Sequence, residues 1–198
     1  KYYFLDTLKV PYDKQQLIDD FDVLSKYLSH THQKFFLYRD FQARNVLVKE
    51  NEIYFIDYQG GMKGGLQYDL ASLLWQAKAN LSDDWKEKLL EQYVQTASEL
   101  LNKSIDKIQF VGQYNGFVLI RLLQVLGAYG FRGLFERKAH FLSSIPLALR
   151  NLKWFVANRQ TGVSLPAFEK ILERIVSDDI INRFETVKAN AATPLVVK

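Results

Sequence analysis

The sequence predicts an α+β fold that is mainly α-helical and has a small β-hairpin region. Two observations predict this class. Apolar residues recur at helical spacing through most of the 198 residues, whereas three short apolar runs lie close together before residue 57. A composition of 48% hydrophobic and 24% charged residues can form the core of one domain. We therefore expect one globular lobe over residues 1–189, followed at 190–198 by a linker or the start of another domain.

The predicted strands are short and buried. They cover Phe35–Leu37, Val46–Val48 and Ile53–Ile56, and the polar run 49–52 forms the turn between the last two. Gly60, Gly61, Gly64 and Gly65 follow, and this density of glycine predicts a flexible loop before the next helix.

Helix-capping residues divide the rest of the chain. Asp13, Ser82 and Ser104 are predicted to cap helices that run towards residues 30, 101 and 129. A further helix carries Leu70, Leu73, Leu74 and Ala77. Gly130–Gly133 is expected to break the helical pattern, and helices are expected at roughly 134–142, 145–158 and 166–176.

Asp40, Asn45 and Asp57 form the most informative pattern in the chain. Their spacing matches the catalytic loop and the metal-binding aspartate of kinase-type phosphotransferases. Phosphoryl transfer needs a group that orients the attacking hydroxyl, and it needs oxygen ligands for Mg²⁺, which takes only one or two carboxylates from protein. Asp40 suits the first role, and Asn45 with Asp57 suits the second. The alternative is that all three are ordinary turn residues.

The block at residues 35–80 resembles the C-terminal lobe of the aminoglycoside phosphotransferase and choline kinase superfamily. The motifs that carry the resemblance are Arg39-Asp40-Phe41, Arg44-Asn45, Asp57-Tyr58-Gln59 and Tyr68-Asp69-Leu70-Ala71. They are most similar to the bacterial kinases of N-acetylmuramate and N-acetylglucosamine. The resemblance implies a protein-kinase-like lobe, ATP as phosphoryl donor, Mg²⁺, a small-molecule acceptor, Asp40 as catalytic base, and Asn45 and Asp57 as metal ligands.

Other residues of the block have supporting roles. Tyr38 stands where the family usually has histidine, and it can still support the loop by packing. Asp69 at a helix start favours a structural role, because a carboxylate there accepts backbone N–H bonds and suits the helix dipole. Arg39, Arg44 and Gln59 are candidates for contacts with phosphate or acceptor, and surface ion pairs are the alternative for the arginines.

The sequence has no counterpart of the elements with which such kinases bind the phosphates of the nucleotide. It contains no glycine-rich phosphate loop after a strand and no strand with the phosphate-binding lysine. The resemblance places these elements in an N-terminal lobe, so we expect the chain to be a C-terminal lobe that is inactive when isolated. The alternative function is a non-catalytic kinase-like lobe that binds proteins or nucleic acid.

The charge, the cysteine content and the hydropathy of the chain limit its possible cellular environment and partners. The net charge is +4, and residues 121–159 contain seven basic residues and one acidic residue, which favours attraction of an anionic substrate over nucleic-acid binding. The chain has no cysteine and no run of about 18 apolar residues. We expect a cytoplasmic protein without a membrane partner. His30 and His32 lack a third nearby ligand, which argues against a zinc site.

Overall fold

The computed structural model describes residues 2–32 and 34–189, and their side chains over 4–32 and 34–185. The α-helices are α1 (Lys14–Ser29), α2 (Leu66–Leu74), α3 (Asp83–Leu100), α4 (Lys107–Tyr129), α5 (Ala139–Leu142), α6 (Ile145–Asn158), α7 (Pro166–Ile175) and α8 (Asp178–Ala189). The strands are β1 (Phe35–Leu37), β2 (Val46–Lys49), β3 (Glu52–Phe55) and β4 (Met62–Gly64). The predicted class, α+β and mainly helical, is confirmed.

The strands form two separate antiparallel pairs. β1 pairs with β4, placing Phe35 opposite Gly64, and β2 pairs with β3. The prediction that the glycines at 60–65 form a flexible loop is therefore wrong over Met62–Gly64. The absence of a side chain at Gly61 permits the pairing, because a Cβ atom there would lie 2.4 Å from the ring of Phe36.

The predicted burial of the strands is also wrong. Phe36, Val48 and Ile53 are 67%, 73% and 60% exposed. Apolar side chains on a two-stranded ribbon become buried only where another element packs on them. Among the described residues, much of this apolar surface remains open to solvent.

Two predicted helix starts are confirmed by their caps. Asp13 Oδ1 accepts a hydrogen bond of 2.9 Å from the N–H of Gln16, and Ser82 Oγ accepts one of 3.4 Å from the N–H of Trp85. These bonds satisfy N–H groups that the first helical turn leaves without a partner.

The predicted start of α4 is wrong. The helix begins at Lys107, and Asp106 rather than Ser104 supplies the cap, since Asp106 Oδ1 accepts a hydrogen bond of 3.0 Å from the N–H of Gln109. A carboxylate directly before the helix outcompetes a hydroxyl two residues earlier, because its charge also favours the positive end of the helix dipole.

The glycine-containing segment after α4 continues it as a π-helix over Gly130–Phe135, so the predicted break is wrong. The helix predicted at 134–142 is reduced to α5. α8 was not predicted, although its Ile180, Ile181 and Phe184 are buried. Its many polar residues weaken the apolar pattern from which a helix is recognised.

The described residues 2–24, 122–159 and 164–189 make up one compact unit. Its core contains Ile145, Leu149 and Leu152 of α6, which are completely buried. Phe4 stacks on Phe184 with ring centroids 6.2 Å apart.

The basic residues of this unit are partly neutralised by acidic residues from distant parts of the sequence. Lys153 of α6 lies 2.6 Å from Asp178 of α8, and Arg150 pairs with Glu185 of the same helix. The positive charge of residues 122–159 is therefore weaker in the folded unit than the sequence suggests.

Ser25–Arg121 and Gln160–Val163 make up a second compact unit, which contains both sheets, α2 and α3. In its core Trp75 Nε1–H donates to the hydroxyl of Tyr114 at 2.9 Å, and burial raises the pKa of Tyr114. Asn115 Nδ2–H of α4 donates to the carbonyl of Gln160 at 2.8 Å and thereby secures the short return segment.

The segment Lys107–Phe135 is long and apolar enough, by length and composition, to cross a membrane. Core helices of soluble domains meet the same criterion. The expectation of no membrane partner stays a prediction.

Asp20 provides a test of the packing between α1 and α7 in the first unit. Its buried Oδ2 accepts a hydrogen bond of 2.8 Å from the N–H of Phe168 in the first turn of α7. We expect Asp20→Ala to lower the free energy of unfolding by about 1.5–3 kcal/mol, because that N–H is left buried without its charged partner. Asp19→Ala, at the exposed neighbouring position, should cost about 0.5 kcal/mol or less. Urea denaturation measures both, and equal losses would contradict the buried cap.

Candidate active site

The segment between β1 and β2, residues 38–45, is the candidate catalytic loop, and it carries Asp40 and Asn45. Asn45 ends a single 3₁₀ turn, and its side chain is 5% exposed. Its Nδ2–H donates to the backbone carbonyl of Asp40 at 2.9 Å, and its own carbonyl accepts from the N–H of Ile56 at 3.1 Å. Asn45 therefore ties the backbone at Asp40 to the residue that precedes Asp57.

Asp57 lies two residues after the end of β3. Its backbone has φ of 67°, a left-handed conformation that aspartate tolerates better than most residues. Its Oδ1 accepts a hydrogen bond of 2.6 Å from Gln59 Nε2–H. The reversal of direction after β3 is thus stabilised by the Asp57–Gln59 contact.

Asp69, in the first turn of α2, holds the start of the loop. Its carboxylate accepts hydrogen bonds from the N–H groups of Tyr38 at 2.6 Å and Arg39 at 2.9 Å. Arg39 has φ of 76°, which is unfavourable for an arginine and needs such support. Burial raises the pKa of the Asp69 carboxyl, while the two N–H groups and the charge of Arg121 oppose that shift.

Tyr38 joins the loop to the end of β3. Its hydroxyl donates to the carbonyl of Ile56, and its ring contacts Phe41 at a centroid distance of 5.4 Å. Burial raises the pKa of the Tyr38 phenol, and the negative charges of Asp57, Asp40 and Asp69 raise it further. The three carboxylates are therefore all within electrostatic range of one hydroxyl group.

The basic and amide candidates contact the protein itself or lie exposed. Arg39 Nη1–H donates to the carbonyl of Gly60 at 3.2 Å. Arg44 is exposed in the 3₁₀ turn. Gln59 contacts Asp57, as described above. In the described structure, none of Arg39, Arg44 and Gln59 contacts a buried partner. Their contacts with phosphate or acceptor stay predictions.

Two further contacts with the loop were not predicted from the sequence. Gln76 Oε1, just after α2, accepts a hydrogen bond of 3.0 Å from the N–H of Ala43, and Gln42 Nε2–H lies 3.4 Å from Asp40 Oδ1. Both glutamines lie outside any recognisable pattern. No local signal could have revealed a bond between residues 33 positions apart.

The oxygen donors of the site fit magnesium. Because Asn45 uses its Nδ2–H on the backbone of Asp40, its Oδ1 remains the atom suited to a cation, and Asp57 supplies a carboxylate. Among the described residues there is no cluster of three or more histidine, cysteine, aspartate or glutamate side chains that could hold a metal ion. One carboxylate and one amide oxygen match the few protein ligands that Mg²⁺ takes, since it keeps several waters.

The loop carries Asp40 and Asn45, and Asp57 follows the next strand pair, which is the order of residues expected of kinase-type phosphotransferases. The model of the phosphotransferase enzyme family matches residues 5–102, which include Asp40, Asn45, Asp57 and Asp69. This match supports the aminoglycoside phosphotransferase and choline kinase superfamily and implies a phosphotransferase activity. No curated protein matches the chain at a significant level.

The bracing role of Asp69 can be tested on the loop itself. In Asp69→Asn one of the two N–H groups faces an amide NH₂ instead of a carboxylate oxygen, so a bond is lost. We expect amide hydrogen exchange at Tyr38 or Arg39 to accelerate by roughly 10-fold, which corresponds to about 1.4 kcal/mol. Residue-resolved NMR exchange measures this. Asp22→Asn, an exposed change on α1, is the control, and unchanged protection in Asp69→Asn would show that the loop is held by other contacts.

Proposed function

We propose that the protein is an ATP-dependent phosphotransferase lobe that directs the γ-phosphoryl group to a hydroxyl of a small molecule, with an amino sugar as the acceptor class. The observation that carries the proposal is the connected loop. Asn45 binds the backbone of Asp40 and the residue before Asp57, while Asp69 fixes the start of the same loop. The family match covers this whole arrangement.

Each polar residue has a distinct role in the proposed reaction. Asp40 orients the acceptor hydroxyl and takes its proton as the oxygen attacks the γ-phosphorus, and the bond between that phosphorus and the bridging oxygen breaks so that ADP leaves. Asn45 and Asp57 would hold Mg²⁺, which when bound neutralises charge on the nucleotide phosphates. Tyr38 and Asp69 keep the loop in position, because each bonds to its backbone or to the strand end beside it.

The amino-sugar acceptor rests on the residue pattern. Arg39-Asp40, Arg44-Asn45 and Tyr58-Gln59 resemble the amino-sugar kinases more than the antibiotic or choline kinases. Arg44 is exposed and directly precedes Asn45, one of the two proposed metal ligands. It is available to meet a phosphate or a sugar hydroxyl with a rigid set of donors.

The nucleotide should bind this chain weakly when it is tested alone. Kinases of this type hold the phosphates with a glycine-rich loop and a lysine, and the sequence contains neither motif. Calorimetric titration with Mg-ATP is expected to give a dissociation constant well above the micromolar range and negligible turnover. Micromolar affinity would show that the nucleotide site lies elsewhere and is complete in this chain.

Replacing the proposed base is the sharpest test of the reaction. In a parent protein that includes an N-terminal lobe, Asp40→Asn should lower kcat by about 10²–10⁴-fold, because the amide cannot accept the proton. The fold should be retained, since the Asp40 side chain is exposed and its only described bond is a long contact with Gln42. ADP release is measured with N-acetylglucosamine, N-acetylmuramate, an aminoglycoside and choline as acceptors.

The matched control is Asp22→Asn, which should leave kcat unchanged. Full activity in Asp40→Asn would remove this residue from the mechanism. Turnover of only the aminoglycoside or choline would overturn the amino-sugar acceptor and leave the phosphotransferase assignment intact.

One observation favours a second candidate function, a non-catalytic lobe that binds another protein. Val48, Ile53 and Tyr54 of the β2–β3 ribbon expose 73%, 60% and 51% of their surface, and such apolar patches often mark protein contacts. The kinetic experiment separates the two functions. If the parent protein binds no Mg-ATP and Asp40→Asn changes no measured rate, the result supports the function of a protein-binding lobe.

A further inference from the structure

A cavity of about 710 Å³ that is open to solvent lies in the second compact unit, between the catalytic loop and the helices α2 and α3. Aromatic side chains from the loop and the strands line one wall, and leucines of the two helices line the other. Representative residues of the two walls are Phe41, Phe55, Tyr58, Leu70, Leu73 and Leu89. Cavities of roughly 300–1,000 Å³ with such lining commonly bind small molecules.

The cavity differs from the proposed reaction site. Asp40, Asn45 and Asp57 are absent from its lining, although their neighbours Phe41 and Tyr58 contribute to it. A molecule in this cavity would therefore not be the acceptor attacked at Asp40. It would contact the same loop through Tyr38 and Phe41.

The polar groups of the cavity favour an uncharged ligand. Asp69 lines it, but its two oxygens already accept the N–H groups of Tyr38 and Arg39, and Arg121 lies within electrostatic range. The hydroxyl of Tyr93 donates to the carbonyl of Leu66 at 3.1 Å, and burial raises its pKa to about 12, so it stays uncharged near neutral pH. An anionic ligand would lose its hydration and face the Asp69 carboxylate, whereas a cationic ligand would find both oxygens of that carboxylate already engaged by N–H groups.

The rim offers neutral hydrogen-bonding groups instead. Gln92 and Thr96 lie one turn apart on α3, line the cavity and are exposed to solvent. A ligand can therefore place an aromatic body against the rings of the inner walls and a single hydroxyl or amide at the rim. Aromatic rings prefer edge-to-face or offset contacts with other rings, which selects a flat ligand.

We propose that this cavity is a binding site for a neutral, planar aromatic molecule of about bicyclic size that carries a small polar group. Its occupancy is linked to the catalytic loop, because Tyr38 and Asp69 both line the cavity and hold the loop. Ligand binding should therefore stabilise the Tyr38 and Arg39 hydrogen bonds. Binding at this site does not require the transferase activity proposed above.

The probe is 2-naphthol, titrated into the chain without nucleotide or acceptor and followed by ligand-observed NMR. We expect saturable binding of one molecule per chain. Gln92→Trp should weaken it by at least 10-fold, because the indole occupies the cavity from the rim. Gln95→Trp, the same substitution three residues along α3 and outside the lining, should change the dissociation constant by less than about 2-fold. Thr96→Trp is the second blocking variant, and circular dichroism confirms that each variant is folded.

Three outcomes would overturn the proposal. They are the absence of saturable binding, equal weakening by Gln92→Trp and Gln95→Trp, and binding of a naphthylmethylammonium ion more than 10-fold tighter than 2-naphthol. The link to the loop is tested in the same samples. Bound 2-naphthol should slow amide exchange at Tyr38 and Arg39, and unchanged exchange would show that the cavity and the loop are uncoupled. None of these results depends on phosphoryl transfer, so they are distinguishable from failure of the proposed function.

Discussion

The contact of one carboxylate with two backbone N–H groups sets the geometry of the candidate active site. Asp69 accepts from Tyr38 and Arg39, the two residues directly before Asp40. Arg39 adopts a left-handed backbone conformation that its side chain disfavours, and charge-assisted hydrogen bonds of this kind are among the strongest available to compensate for it. The loop is therefore held by a helix that itself packs in the core, since Leu70 and Leu74 of α2 are buried.

A second set of hydrogen bonds joins the loop to the end of β3. Asn45 contacts the backbone of Asp40 through its side chain and Ile56 through its carbonyl. Tyr38 reaches the carbonyl of Ile56 from the other side. Asp40 and Asn45 are thus joined directly, and Asn45 is joined to Ile56, the residue before Asp57, by bonds in which at least one partner is a backbone group.

The aromatic cavity shares residues with the loop and with the end of β3. The rings of Phe41 and Phe55 lie 5.8 Å apart, and Phe41 also contacts Tyr38. These rings belong to the segments that carry Asp40 and Asp57, whose own side chains are absent from the lining. A molecule that packs on the rings alters the freedom of the loop without approaching the reacting groups, which is the physical basis of the coupling proposed for the cavity.

The sequence by itself determined the helical class, the positions of β1, β2 and β3, and the caps at Asp13 and Ser82, and it is also the source of the proposal that Asp40, Asn45 and Asp57 form the site. These features depend on local spacing and on the chemistry of neighbouring residues, which a sequence displays directly. Only the tertiary structure decided that β4 pairs with β1, that Gln76 binds the loop, and that acidic residues of α8 neutralise the basic residues of α6. Each of these depends on the approach of segments far apart in the chain. Hydrogen bonds and ion pairs extend only about 3–4 Å, so they are fixed by packing and leave no periodic signal in the sequence.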